Sequence, residues 1–176
     1  VSSTGKPATY VISNVGLIDE SAFPKCTKMQ NLTVNPDVTS IGQYAFQKCT
    51  GLTNVTIKNN GMIGASAFNG SSTESSAIYA ISNVGSIGES AFANCTAMKN
   101  LTVDASVTTI GQSAFQNCSG LASVTVQNNG MIGESAFEKS PSITEIHIPD
   151  SVIDVAENAF ANCKDLTKVH MSSNVR

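Results

Sequence analysis

Two histidines, 13 carboxylates and five cysteines are the groups through which this 176-residue chain would do chemistry. His147 and His170 stand 23 residues apart, and Glu145 is the one obvious carboxylate helper. Two imidazoles and a carboxylate are metal-ligand types, but a protein site needs a fuller donor set. They read as solvated surface residues, and no metal or cofactor is expected. Asp19, Glu20, Glu89 and Glu134 recur at one phase, just before Ser-Ala-Phe. They follow a repeat rather than an active site, and the chain is expected not to be an enzyme.

The thiols obey the same rule. Cys26, Cys49, Cys95, Cys118 and Cys163 each fall three residues after a phenylalanine. A disulfide framework scatters its cysteines to link distant segments. An odd number in one phase reads instead as a column of small buried hydrophobes. Stacked rungs ~4.8 Å apart would allow a bridge by distance, so cysteine usage does not fix the redox compartment.

All seven phenylalanines, at 23, 46, 68, 92, 115, 137 and 160, sit in an Ala-Phe dipeptide that recurs every 22 to 24 residues. A residue type confined to one phase of a fixed period means a solenoid of about seven stacked coils. Each coil has three parts. The first alternates, as in Leu101-Thr102-Val103, and predicts a strand with one buried face. The matching spans are 29–34, 52–57, 121–126, 143–148 and 166–171, which stack into one parallel sheet. The second part carries buried pairs such as Val38/Ile41, Val84/Ile87, Val107/Ile110 and Val152/Val155 around the back. The third, Ser-Ala-Phe-x-x-Cys, is expected to form one helical or 3₁₀ turn, with each Phe stacked on the Phe above and below.

A longer period overlies the short one. Residues 10–68 match 79–137 at an offset of 69, with about 40 of 59 positions identical, as if three coils had been duplicated together. In both copies the third coil is one residue shorter and reads Asn-Asn-Gly-Met-Ile-Gly, where Asn-Gly signals a tight turn. The stretch 69–76 is polar, lacks the Cys, and reads as a loosened coil before an aberrant strand at 78–80. The whole of 1–176 is thus expected to be one solenoid. Val1 opens and Arg176 closes in mid-repeat, the pattern of a fragment of a longer array.

The coil Ile41 to Ile57 resembles the BspA-like leucine-rich repeat, Ile-Gly-x-x-Ala-Phe-x-x-Cys-x-x-Leu-x-x-Val-x-Ile-Pro, lacking only the last Pro. Ile148-Pro149 supplies that step in a later coil. The resemblance covers essentially the whole chain. It implies a right-handed leucine-rich-repeat arc with a parallel β-sheet on the concave face. Short helical or 3₁₀ turns and extended segments would form the convex side. Members of that family are mainly surface or secreted proteins of host-associated bacteria and some parasitic protists. Those with assigned roles are adhesins, and no catalytic residues carry over.

The outward strand position between the last two buried ones should face the concave side. At a near-uniform spacing of 23 it gives Tyr10, Thr33, Thr56, Tyr79, Thr102, Thr125, His147 and His170. A neighbouring column runs Asn31, Asn54, Asn100, Ser123, Glu145 and Lys168. Tyr10 and Tyr79 are read either as aromatic anchors, with an apolar body and polar tip, or as cover for an irregular coil. The threonines read as ordinary exposed strand residues rather than an ice-binding ladder, because Tyr and His interrupt them.

Composition excludes several classes. A net charge of −3 and a pI near 5.3 leave no basic footprint, so no nucleic-acid partner is expected. No apolar run reaches the ~18 residues of a transmembrane helix, and no signal peptide opens the chain. Charged residues are 13%, against ~25% in an ordinary soluble protein. Ser, Thr, Asn and Gly replace them, as on many extracellular surfaces. The expected function is a cell-surface or secreted module that binds a protein or glycan on a host or neighbouring cell through the concave sheet. The alternative is a structural spacer, a rod of roughly 35 Å that projects another domain. An intracellular scaffold is a third reading. Uncapped terminal coils could also stack end to end on a second copy.

Overall fold

The computed structural model describes residues 7–171 and 175. Each coil contributes one longer strand and one short strand, and both kinds stack in parallel. The longer strands are β1 (Ala8–Ile12), β3 (Met29–Val34), β5 (Asn54–Ile57), β7 (Ala77–Ile81), β9 (Met98–Val103) and β11 (Ser123–Val126), hydrogen-bonded in that order. Two more, β13 (Glu145–Ile148) and β15 (Lys168–Met171), pair with each other. The sequence predicts one continuous sheet. In the structure the ladder is interrupted between β11 and β13, so it divides into six strands and two.

The short strands are β2 (Leu17–Ile18), β4 (Ser40–Ile41), β6 (Gly61–Ile63), β8 (Val84–Ile87), β10 (Thr109–Ile110), β12 (Met131–Ile132) and β14 (Asp154–Val155). They form a second sheet of seven, which runs unbroken through β12 and β14 and so carries the solenoid across the interruption. Between the sheets lies one core. Leu32, Val34, Ile41, Leu52, Ile57, Ile63, Leu101, Val103, Ile110, Leu121 and Ile132 are all buried.

The Ser-Ala-Phe-x-x-Cys segment is not helical. It is a chain of tight turns, as coil 42–49 shows. Ala45 N–H donates to Gly42 O, Gln47 N–H to Tyr44 O and Cys49 N–H to Phe46 O. The N–H groups between these point along the solenoid axis. Tyr44 donates to Ala65 O, Phe46 to Ala67 O and Lys48 to Asn69 O of the next coil. A helix would turn its N–H groups back onto its own segment; alternating turns spend half on the neighbouring coil and tie the coils together. Two residues per turn segment pay for this with left-handed backbone, for example Tyr44 at φ 57° and Lys48 at φ 57°. Asn takes the second of these positions at Asn94, Asn117 and Asn162, as suits a residue that tolerates that region.

The phenylalanines stack as expected. From Phe23 to Phe160 successive rings are 4.9 to 5.4 Å apart and within 14° of parallel. The thiols lie against this column and are unbridged. Each of Cys49, Cys95, Cys118 and Cys163 donates to the carbonyl of the Phe in the preceding coil at 3.1 to 3.3 Å. Ser140 fills the slot where coil six lacks Cys and makes the same bond to Phe115 O at 3.2 Å. The slot therefore selects a small side chain with one donor. Burial raises the thiol pKa of Cys49 and Cys95 to about 12 and pushes Cys118 and Cys163 upward too.

Candidate binding surface

Strand register decides which side chains face outward. Thr33 pairs with Thr56, Thr56 with Ala80, Ala80 with Thr102 and Thr102 with Thr125. This column is open to solvent, and His147 and His170 occupy the same position on the two-stranded sheet. The neighbouring column is Thr9, Asn31, Asn54, Ile78, Asn100 and Ser123, then Glu145 and Lys168.

Tyr79 does not belong to this surface. It pairs with Val55 on one side and Leu101 on the other, both inward positions, and is fully buried. Its ring stands edge-on between Phe68 (6.3 Å) and Phe92 (5.5 Å). Its hydroxyl meets Ser71 and Ser72, which are buried with it. The stretch 69–76 is accordingly pinned to the core at Ser71 and Ser72 rather than loose. Burial, and after it the neighbouring Cys95, push the pKa of this phenol well above the ordinary value, against the hydrogen bonds to Ser71 and Ser72, which lower it. Tyr10 shares the inward register, paired with Leu32. It remains 42% exposed because β1 is the edge strand of its sheet among the described residues. The cause in both coils is a register shift, at Ala77/Ile78 and at Ala8/Thr9. A uniform spacing of 23 sets Tyr79 beside Thr102, whereas the true partner, Leu101, is 22 residues on.

With Tyr79 inside, its neighbours turn out. Ile78 is half exposed in the middle of the outer face, flanked by Asn54 and Asn100 and beside Ala80. Sequence reasoning missed it because every residue from Ala77 to Ile81 except Tyr79 is aliphatic. The only available signal was that Ile78 breaks a column of asparagines. On the N-terminal side of that break the asparagines bond rung to rung. Asn54 Nδ2 donates to Asn31 Oδ1 at 2.8 Å, and Asn31 Nδ2 to Thr9 Oγ1 at 3.1 Å.

At the other end the face becomes ionisable. The His147 and His170 rings stack at 4.9 Å. Glu145 Oε1 lies 2.7 Å from His170 Nε2, and Lys168 Nζ lies 3.9 Å from Glu145 Oε2. The His170 hydrogen bond, then the Lys168 charge, hold the Glu145 carboxyl below its ordinary range. Among the described residues no cluster of three or more His, Cys, Asp or Glu side chains is placed to hold a metal ion. No helix among them is long and apolar enough to cross a membrane.

The family model for the BspA type leucine-rich repeat region matches residues 16–131 and 130–176, in six copies. The chain belongs to the BspA-type leucine-rich repeat family. Solved structures agree in fold. A leucine-rich repeat protein from Bacteroides ovatus superposes with a TM-score of 0.78 at 25% identity, over 96% of this chain and 47% of that one. The Treponema pallidum leucine-rich repeat protein gives 0.72 at 22% identity, over 93% and 79%. The pneumococcal vaccine antigen PcpA gives 0.56 at 16% identity, over 92% and 50%. The BspA-type chain thus spans about half the length of the first of these. No curated protein matches it. As a leucine-rich repeat, it presents the outer face of its longer-strand sheet on the concave side.

Proposed function

We propose that this chain is a non-enzymatic adhesion module, displayed on a cell surface or secreted, that binds a protein or glycan through the concave face. The observation that carries this reading is a half-exposed Ile78, with Ala80 beside it, at the middle of a face whose adjacent rungs carry Asn54, Thr56, Asn100 and Thr102. An apolar anchor between rungs of short polar side chains is the composition of a small binding hot spot. The backbone beneath it is hydrogen-bonded on both sides, so little ordering is needed on binding. The Glu145, His147, Lys168 and His170 group adds a polar end to the same surface. Membership of a surface-associated family supports the location, and the exposed Val169 and Met171 on β15 offer a second copy an apolar edge.

The test is a panel of extracellular-matrix proteins, host-cell proteins and glycans, probed with wild type, Ile78→Glu and His147→Ala/His170→Ala. A hit abolished by Ile78→Glu establishes the concave module. Well-folded protein that binds nothing on the panel, or binds equally with Ile78→Glu, overturns it and leaves the spacer.

A further inference from the structure

The corners leading from the longer to the short strands are unequal in length. Coil two (Val34 to Ile41) and coil five (Val103 to Ile110) each have six residues between those inward positions. Coils three (Ile57 to Ile63) and four (Ile81 to Ile87) have five. Two adjacent short corners between two long ones must leave a saddle. The structure has one there, a notch of about 490 Å³ lined by Pro36, Asn60, Gly61, Asn83, Gly85 and Ser106. That volume is within the usual ~300–1,000 Å³ of small-ligand sites.

The notch lies off the concave columns, and none of its six lining side chains is ionisable. Two carboxylates stand nearby on the long corners, and both are engaged. Asp37 accepts the Asn14 N–H. Asp104 accepts the Ser106 N–H at 3.0 Å, the Asn83 N–H at 3.4 Å and the Ser106 hydroxyl. They disfavour an anion, and they are not free to chelate a cation. The floor has no side chains at Gly61 and Gly85; at Gly61 a Cβ would come within 1.8 Å of Thr39 O. The walls offer two amides, each both donor and acceptor, and the ring of Pro36. Neutral paired donors and acceptors beside an apolar plate match a polyol with an apolar C–H face.

We infer that this notch is a second binding site, for one or two neutral sugar residues of a glycan, separate from the concave surface. The duplication provides an internal control. Asn129 is the counterpart of Asn60, and each donates its N–H to a valine carbonyl one coil back, Asn129 to Val107 and Asn60 to Val38. The short corner at Asn129 has long corners on both sides, at coils five and seven.

The experiment is a printed array of neutral, sialylated and sulfated oligosaccharides, followed by calorimetry on the strongest neutral hit. Wild type is compared with Asn60→Trp, which fills the notch, with Asn129→Trp and with Ile78→Glu; thermal melts check each fold. Asn83→Gly, which keeps the left-handed backbone and removes one amide, serves if Asn60→Trp does not fold. The expected result is a neutral-glycan hit weakened roughly tenfold or more by Asn60→Trp or Asn83→Gly and unchanged by Asn129→Trp and Ile78→Glu. Acidic hits only, no glycan hit, or equal loss with Asn60→Trp and Asn129→Trp overturns the inference. Loss with Ile78→Glu alone also overturns it, and transfers the glycan to the concave face.

Discussion

The hydroxyl of Tyr79 lies 2.7 Å from the Oγ of Ser72 in the interior of the solenoid, with Ser71 Oγ at 2.9 Å on the same oxygen. At Cys49, Cys95, Cys118, Ser140 and Cys163 the corresponding side chain bonds a Phe carbonyl of an earlier coil. Here a tyrosine reaches across and completes the hydrogen bonding of two buried serines. Ser72 itself is held in left-handed backbone at φ 50°.

Tyr79→Phe therefore strands the buried Ser72 hydroxyl and leaves Ser71 only the Cys95 thiol at 3.4 Å, and the expected loss of stability is about 1–3 kcal/mol. Tyr79→Ala opens a cavity as well and is expected to cost ~3–5 kcal/mol, by the scale of large aromatic truncations. Urea melts check both. A surface contact would show the opposite pattern, with altered binding and an unchanged melt.

Phe115 stacks on Phe92 at 5.2 Å and on Phe137 at 5.1 Å. Phe115→Ala should cost ~3–5 kcal/mol. Phe23 is only partly buried, with one stacking partner among the described residues, so Phe23→Ala should cost less. Equal losses at the two sites would contradict the continuous stack.

The thiols differ in access. Cys26 is half-buried, while Cys49, Cys95, Cys118 and Cys163 are buried. A thiol reagent near neutral pH should label Cys26 first and the others only on unfolding. The buried thiols also set an alkaline limit. Their pKa is raised from 9.0 to about 12 at Cys49 and Cys95, so above about pH 9 the unfolded chain ionises and gains stability while the folded one does not. The melting temperature should hold below that point and fall progressively toward pH 12. A Cys49→Ala/Cys95→Ala variant should show a shallower fall.

Glu145 hydrogen-bonds His170 at 2.7 Å on the exposed face. Its carboxyl titrates below the ordinary range, so the pairing is present above the usual carboxylate pKa and is lost as pH falls through the lowered one. Carboxyl NMR titration should show this, and His170→Ala should return Glu145 toward its ordinary value. An unchanged titration in that variant would exclude the hydrogen bond in solution.

The sequence by itself determined the solenoid, the coil period, the stacked phenylalanines and the inward cysteine column. Those features depend on residues that recur in phase, and a period is visible without coordinates. It also supplied Thr33, Thr56, Thr102 and Thr125, whose coils alternate cleanly between apolar and polar. Only the tertiary structure decided the face of β7. A strand with apolar residues on both faces carries no period-two signal, and a one-residue register shift exchanges its two sides. There the choice was made by contacts distant along the chain, with Phe68 and Phe92 admitting the Tyr79 ring and Ser71 and Ser72 receiving its hydroxyl. The turn chain in place of a helix was likewise a tertiary outcome, because its alternate N–H groups find their acceptors only once the next coil is stacked beside them.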